Sequence, residues 1–418
     1  MIRAKVSDML GNSYLRGISY SFLANLSNSL SQWLIFSFIA KKFGTEALGS
    51  YSLAIAWILP LFAFFSLQLR NMHVSDQKNE FSFDLFFSLR VICSILFVVL
   101  VYLIGVCMYN GNALIFLFLG LARGFELISD IIHAEFHRRK KIVLYSKRLL
   151  VRSFFTVVFA FISFHFIPNF KIAIVSIPLA YLVNLIIDFF FLKKEIDTFS
   201  FSIQDKQGLK TLLLTGILVG VSLLFVYLLP SIPRFILEKF RNSYELGLFS
   251  GYMYLIILAR IFVQALTQNS LPHLASYFSA GNLTAFKKSV KKEILFLTLI
   301  GILQFIILPL SNFIFPLLYN HDFVGNKGLL IIIFTGSLFS FIAFSLNNAL
   351  NAMQMFKIQL PVYGTLVVIS FLLAYLLIPK YGMIGAGLVF MMAAIIQSCF
   401  LFLVFMNKLK KEQIKLSI

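Results

Sequence analysis

The sequence predicts an all-α integral membrane protein of about twelve transmembrane helices, arranged as two six-helix lobes. Three observations carry this prediction. Hydrophobic residues make up 60% of the 418-residue chain and charged residues 13%, whereas a soluble domain is about half apolar and about a quarter charged. The apolar residues fall in runs of about 20, the length that crosses a bilayer as a helix. A short sequence also recurs in the two halves at matching places.

The runs are residues 17–40, 47–68, 83–108, 112–136, 149–167, 172–192, 209–230, 243–267, 293–318, 328–353, 358–378 and 383–406, spans 1 to 12 below. They are too long and continuous for barrel strands, and a backbone in lipid must satisfy its own hydrogen bonds, so they read as helices. The segment before span 1 is short and basic. Span 1 is too long for the apolar core of a cleavable signal and is expected to act as an uncleaved anchor.

An even number of spans places both termini on one side. With both inside, the inner segments hold runs such as Arg138, Arg139, Lys140, Lys141, Lys147 and Arg148, then Lys287, Lys288, Lys291 and Lys292. The outer loops keep only Lys41, Lys42, Lys171, Arg234, Lys239, Arg241, Lys327 and Lys380. Basic residues thus favour the inner side about three to one, which sets both ends in the cytoplasm. The net charge of +19 follows from that topology and does not point to nucleic acid.

The longest polar stretch between spans, residues 193–210, follows span 6. It suggests lobes over 1–200 and 201–418 with a linker near 193–208. Lys42–Ser52, KFGTEALGSYS, leads into span 2; Lys239–Ser250, KFRNSYELGLFS, leads into span 8. Leu48-Gly49 and Leu246-Gly247 align at an offset of 198 residues, each followed by an aromatic and a serine. With six helices per lobe the two copies run in the same direction. Such a parallel repeat is related by a pseudo-two-fold axis along the membrane normal, with substrate held between the lobes.

Ionisable groups inside spans are costly and mark functional candidates. Arg123 (span 4) and Arg260 (span 8) lie deep. Arg90 (span 3) and Arg152 (span 5) lie near inner ends, where they can snorkel to the interface. Arg123, Glu126 and Asp130 share one face of span 4, either as an internal ion pair or as a stripe facing water. With Asp188 in span 6, Glu126 and Asp130 are the candidates for ion coupling; Glu245 is a weaker one. Span 1 carries Asn25, Asn28, Ser29 and Gln32 at helical spacing, and span 10 carries Asn347, Asn348, Asn351 and Gln354. Amides in that pattern serve either as helix–helix bonds or as a polar cavity lining. Pro60, Pro309, Pro316, Pro361, Gly216 and Gly220 are candidate kinks.

Cys93, Cys107 and Cys399 lie in apolar runs without CxxC spacing and suggest neither disulfide nor metal. His133 and His137 stand at helical spacing without a zinc signature, which suggests a loop or interface role. No P-loop occurs, so no ATP site of that kind is expected, and no cofactor. The outer loops are too short for the catalytic groups of a membrane polymerase or glycosyltransferase, so an enzyme is not expected.

KKFGTEALGSYSLA after span 1, ELGLFSGYMYL opening span 8, LPHLASYFSAGNLTAFKKSVKK after it and YGMIGAGLVFMMAA opening span 12 together resemble the polysaccharide exporters of the multidrug/oligosaccharidyl-lipid/polysaccharide (MOP) flippase superfamily. Within it the chain is similar to Wzx-type O-antigen or capsule repeat-unit flippases. The resemblance implies a two-lobed, MATE-like bundle with a central cationic cavity in a bacterial inner membrane. It implies an undecaprenyl-pyrophosphate-linked oligosaccharide as cargo, passed to the periplasmic leaflet, with membrane lipid, a polysaccharide polymerase and a chain-length regulator as partners. It places a cavity cation at Arg260; Arg123 rests on its position alone. The alternative on the same fold is a proton- or sodium-coupled multidrug exporter, which would favour an anionic cavity.

Overall fold

In the computed structural model the apolar runs form α-helices, and no strand occurs among the described residues. These are residues 2–76, 78–196, 199–355 and 359–417, with the side chains of 2–18, 258, 265, 359 and 414–417 left aside. The helices are α1 (Ile2–Phe65), α2 (Leu69–Ser75), α3 (Phe83–Met108), α4 (Ala113–Arg138), α5 (Ile142–Phe166), α6 (Phe170–Ala173) and α7 (Ser176–Lys193). They continue with α8 (Lys206–Leu228), α9 (Ile232–Phe240), α10 (Ser243–Ser279), α11 (Leu283–Leu303), α12 (Ile307–Leu318), α13 (Lys327–Ala352) and α14 (Gln359–Ser417).

Two of these are each a pair of helices joined at a glycine. Gly44 (φ 84°) breaks α1 and Gly382 (φ 56°) breaks α14; a positive φ suits a residue without Cβ. The breaks fall between expected spans 1 and 2 and between spans 11 and 12. Among the described residues nine stretches are long and apolar enough to cross a membrane. Two of them, Ser19–Ser75 with 57 residues and Leu360–Gln413 with 54, contain the glycine breaks and have length for two crossings. α4 is not among the nine, because its apolar face is interrupted by Arg123, Glu126, Asp130 and Glu135. The protein is a multi-pass membrane protein.

Contacts divide the chain into two units. The first is Met1–Lys42 with Trp57–Leu224; the second is Phe43–Ala56 with Phe225–Ile418. The expected lobe boundary near 193–208 differs from this division, because α8 packs within the first unit. Gly216 and Gly220, read as candidate kinks, lie within α8, which is helical from Lys206 to Leu228. They let it lie close to Phe64 and Leu67: a Cβ on Gly220 would sit 2.9 Å from the Phe64 carbonyl oxygen, and one on Gly216 would sit 3.0 Å from that of Leu67. The core of the first unit gathers Leu67, Phe86, Leu89, Ile131 and Leu212.

In the second unit the recurrent sequences pack on each other. A Cβ on Gly49 would lie 1.8 Å from the Ser243 carbonyl oxygen, and one on Gly247 would lie 2.1 Å from that of Thr45. Thr45 and Ser243, like Gly49 and Gly247, stand 198 residues apart. Each copy therefore presents its glycine to the other's carbonyl four residues upstream, a reciprocal contact only glycine permits. Leu48 and Leu246 are both fully buried beside it. The core of this unit gathers Leu274, Phe286, Leu346, Leu366 and Phe405.

The helix α9 is a structural addition to the spans read from sequence. Ile232, Phe235, Ile236 and Leu237 are buried in it, and it packs on α14. Arg234, assigned to an outer loop, is 8% exposed on the same helix. Nine residues are too short to register as a membrane span, and the flanking charges disguise its apolar face.

Candidate functional site

The first unit assembles three groups of guanidiniums and carboxylates from five helices, each including a residue of α4. α4 supplies the acidic centre, because Arg123, Glu126 and Asp130 recur along one side at i, i+3 and i+7. Glu126 receives two cations: Arg123 on its own helix, and Arg152 of α5, whose Nη1 lies 3.0 Å from Oε1. Arg152 also donates to the Asn28 side-chain oxygen of α1 at 3.2 Å and lies over the Tyr181 ring at 5.3 Å. Arg123 lies over the Phe62 ring.

One turn further along α4, Asp130 joins two more arginines. Arg70 of α2 approaches at 2.9 Å and Arg90 of α3 at 3.2 Å. Arg90 is fully buried and also donates to the Ser66 carbonyl at 2.9 Å. Arg70 stacks on Tyr145 at 4.5 Å. A third group joins α5 to α7: Arg148 Nε donates to Asp188 at 2.7 Å, and His133 Nε2 of α4 lies 3.1 Å from the other carboxylate oxygen. Arg148 also reaches Asn184 at 3.3 Å. Toward the end of α4, Glu135 binds His73 at 2.7 Å and Arg139 at 2.6 Å.

Several sequence readings change here. Arg90 and Arg152 do not snorkel; they are 0% and 7% exposed and are held by carboxylates and carbonyls inside the bundle. Arg148, assigned to an inner loop, is 5% exposed inside α5, which begins at Ile142 rather than near 149. Arg70, two residues past the end of span 2 as read from sequence, belongs to the network through Asp130. Of the loop and interface roles read for His133, the structure shows the interface one: it is buried on α4 against Asp188 of α7. The three carboxylates expected to couple ions, Glu126, Asp130 and Asp188, each stand within ion-pair distance of a guanidinium.

The amide stripes separate by function. Asn28 serves the arginine network, while Asn25 is exposed and Gln32 half-buried on α1. On α13, Asn348 ties helices together, donating to the Thr267 carbonyl at 3.1 Å and to Ser270 at 3.0 Å. Asn347 and Asn351 are half-buried beside it, and Gln354 lies past the helix end. Arg260 is exposed on α10 over the Phe344 ring at 5.6 Å, with no carboxylate within ion-pair distance among the described residues. Glu245 caps the second half of α14, accepting from the Met383 amide at 2.9 Å. The structure thus brings Arg90, Arg123 and Arg152 together with Glu126 and Asp130, and places Arg260 in the other unit.

Chemically, five guanidiniums (Arg70, Arg90, Arg123, Arg148 and Arg152) share three carboxylates (Glu126, Asp130 and Asp188). A surplus of two positive charges remains in one polar region, partly open at Arg123, Glu126, Arg70 and Asp130. Such a region suits a compact polyanion, because guanidiniums offer paired N–H donors to phosphate oxygens.

Residues 14–278 match the family described as "Polysaccharide biosynthesis protein". The chain belongs to that family. It is similar to the capsular polysaccharide biosynthesis protein CapF of Staphylococcus aureus, 25% identical over 379 residues that span 90% of this chain and 94% of that one. Among solved structures it resembles the lipid II flippase MurJ in an inward closed conformation (TM-score 0.74, 16% identity, 95% of this chain and 90% of that chain). It also resembles an outward-facing multidrug-resistance MATE transporter of the MOP superfamily (TM-score 0.64, 12% identity, 95% and 96% covered). This member of the polysaccharide biosynthesis family therefore has the all-α MOP fold expected from sequence.

Proposed function

We propose that the protein is a flippase that carries an undecaprenyl-pyrophosphate-linked oligosaccharide repeat unit from the cytoplasmic to the periplasmic leaflet of a bacterial inner membrane. The glycan would enter O-antigen or capsule synthesis, the latter being the role in the name of the staphylococcal relative. The observation that carries this reading is the surplus of buried arginines in the first unit. A net surplus of two positive charges, shared over five ion-paired guanidiniums, attracts a pyrophosphate and repels the cationic compounds that a multidrug exporter on this fold would favour. Arg123, at the open edge, makes the first contact with the anion. Arg152 and Arg90 hold the region positive from behind. Asn25, Asn28 and Gln32 in the first unit offer hydrogen bonds suited to sugar hydroxyls; in the second unit Asn347 and Asn351 offer the same chemistry and Arg260 a charge suited to phosphate. The lipid tail stays in the bilayer. A polymerase and a chain-length regulator would act on the product, and both chain termini would lie in the cytoplasm.

Deletion in the host tests the reading. Surface polysaccharide is expected to fall while the undecaprenyl-linked unit accumulates in the inner leaflet. Intact long-chain glycan without accumulation would refute it.

A further inference from the structure

A cavity of about 480 Å³ in the second unit lies between α10 and α11, lined by Ser270, His273, Tyr277, Ser289, Lys292 and Glu293 among others. Glu293 is the group of interest. Unlike the three carboxylates of the first unit, it has no cation within ion-pair distance among the described residues. Its hydrogen-bond partners are neutral: the Ser270 hydroxyl of α10 and the Asn348 amide of α13, whose Nδ2 lies 3.4 and 3.5 Å from its two oxygens.

The hydrogen-bond geometry accommodates both charge states. Ser270 Oγ stands within bonding distance of the Glu293 carboxylate and 3.1 Å from the Thr267 carbonyl. With Glu293 ionised, the hydroxyl proton points to the carboxylate. With Glu293 neutral, its own O–H donates to Ser270 Oγ, and the serine proton turns to the Thr267 carbonyl. Asn348 donates to the cluster in either state. A hydroxyl that both donates and accepts lets one proton be added without leaving a buried polar atom unmatched. An ion pair with arginine offers no such choice, since protonating the acid strands the cation. The cavity supplies a path for the proton.

The geometry points to Glu293 as a proton-binding site of the second unit, exchanging through the cavity between α10 and α11. Protonation there rearranges the bonds that tie α10, α11 and α13 together. The other titratable or charged groups facing the cavity are His273 and Tyr277 on α10 and Lys292 on α11; α13 contributes only amide and hydroxyl groups to the cluster. Any use of this site in driving transport rests on the flippase reading, but the site itself does not.

Infrared difference spectra of the purified protein in lipid, titrated between about pH 5 and pH 9, the range that covers buried glutamates, test the site without any cargo. The C=O stretch of a protonated carboxyl is expected to grow as pH falls in the wild type and in His273→Gln. It is expected to vanish in Glu293→Gln and to shift in Ser270→Ala. Equal bands in wild type and Glu293→Gln, or a band that follows His273 instead, would overturn the assignment. Loss of glycan export in the host would bear on the flippase reading alone, so the two can fail separately.

Discussion

Glu126 holds two guanidiniums from different helices, and its removal is the most informative single change. Arg152 stands 3.0 Å from it, with side chains only 8% and 13% exposed. At that separation and an effective dielectric of about 20 the attraction is about 5.5 kcal/mol for this one pair, before desolvation. Deleting one partner of a buried pair strands the other, at a cost of roughly 3–5 kcal/mol. Glu126→Ala strands two, Arg123 and Arg152, and is expected to fall at the upper end of that range. Chemical or thermal unfolding of the purified protein in lipid or detergent gives the measurement. Converting the group to apolar side chains, Glu126→Leu with Arg123→Met and Arg152→Met, is expected to recover most of the loss, since well-packed apolar replacements of buried ion pairs are often neutral. The triple variant should nevertheless abolish glycan export, because Arg123 and Arg152 are gone and the positive surplus falls from two to one. A Glu126→Ala protein that unfolds like the wild type would refute the description of this site as a buried, mutually dependent charge group.

Two further predictions follow from the geometry. Gly49→Ala and Gly247→Ala each force a methyl group against a backbone carbonyl and should cost about 1–3 kcal/mol in unfolding measurements, whereas Gly328→Ala, whose Cβ meets nothing within 4 Å, should leave stability unchanged or slightly raised. Equal stability of all three would remove the reciprocal glycine contact. Arg260→Ala, at an exposed position, should change stability by no more than about 0.5 kcal/mol yet lower glycan export in complemented cells; full export would take Arg260 out of the cargo path.

Much of the fold was legible in the chain because the bilayer imposes a single strong constraint. α3 (Phe83–Met108) coincides with the span read as 83–108, and α13 (Lys327–Ala352) with 328–353, since nothing but a helix satisfies that many apolar residues in lipid. Boundaries failed where charge and membrane met. Arg148 follows Arg138, Arg139, Lys140, Lys141 and Lys147 closely enough to read as loop, and only the packing of α5 on α7 shows that it is buried against Asp188. Arg90 and Arg152 lay close enough to helix ends to read as snorkelling. The short helix α9 escaped because nine residues carry too little apolar signal.

The sequence by itself determined membrane residence, helix order, the recurrent LG-aromatic-Ser segment and the excess of positive charge. These are properties of composition and of one helix at a time, set by how a backbone and its side chains meet lipid. Only the tertiary structure decided which charges are matched. Asn28 and Arg152 are 124 residues apart, and Arg148 and Asp188 are 40 apart. Helical periodicity shows which residues share a face, but not which neighbouring helix that face meets. That rotation, set by packing, is why Glu126, Asp130 and Asp188 lie against arginines while Glu293, outwardly no different in sequence, rests among neutral donors.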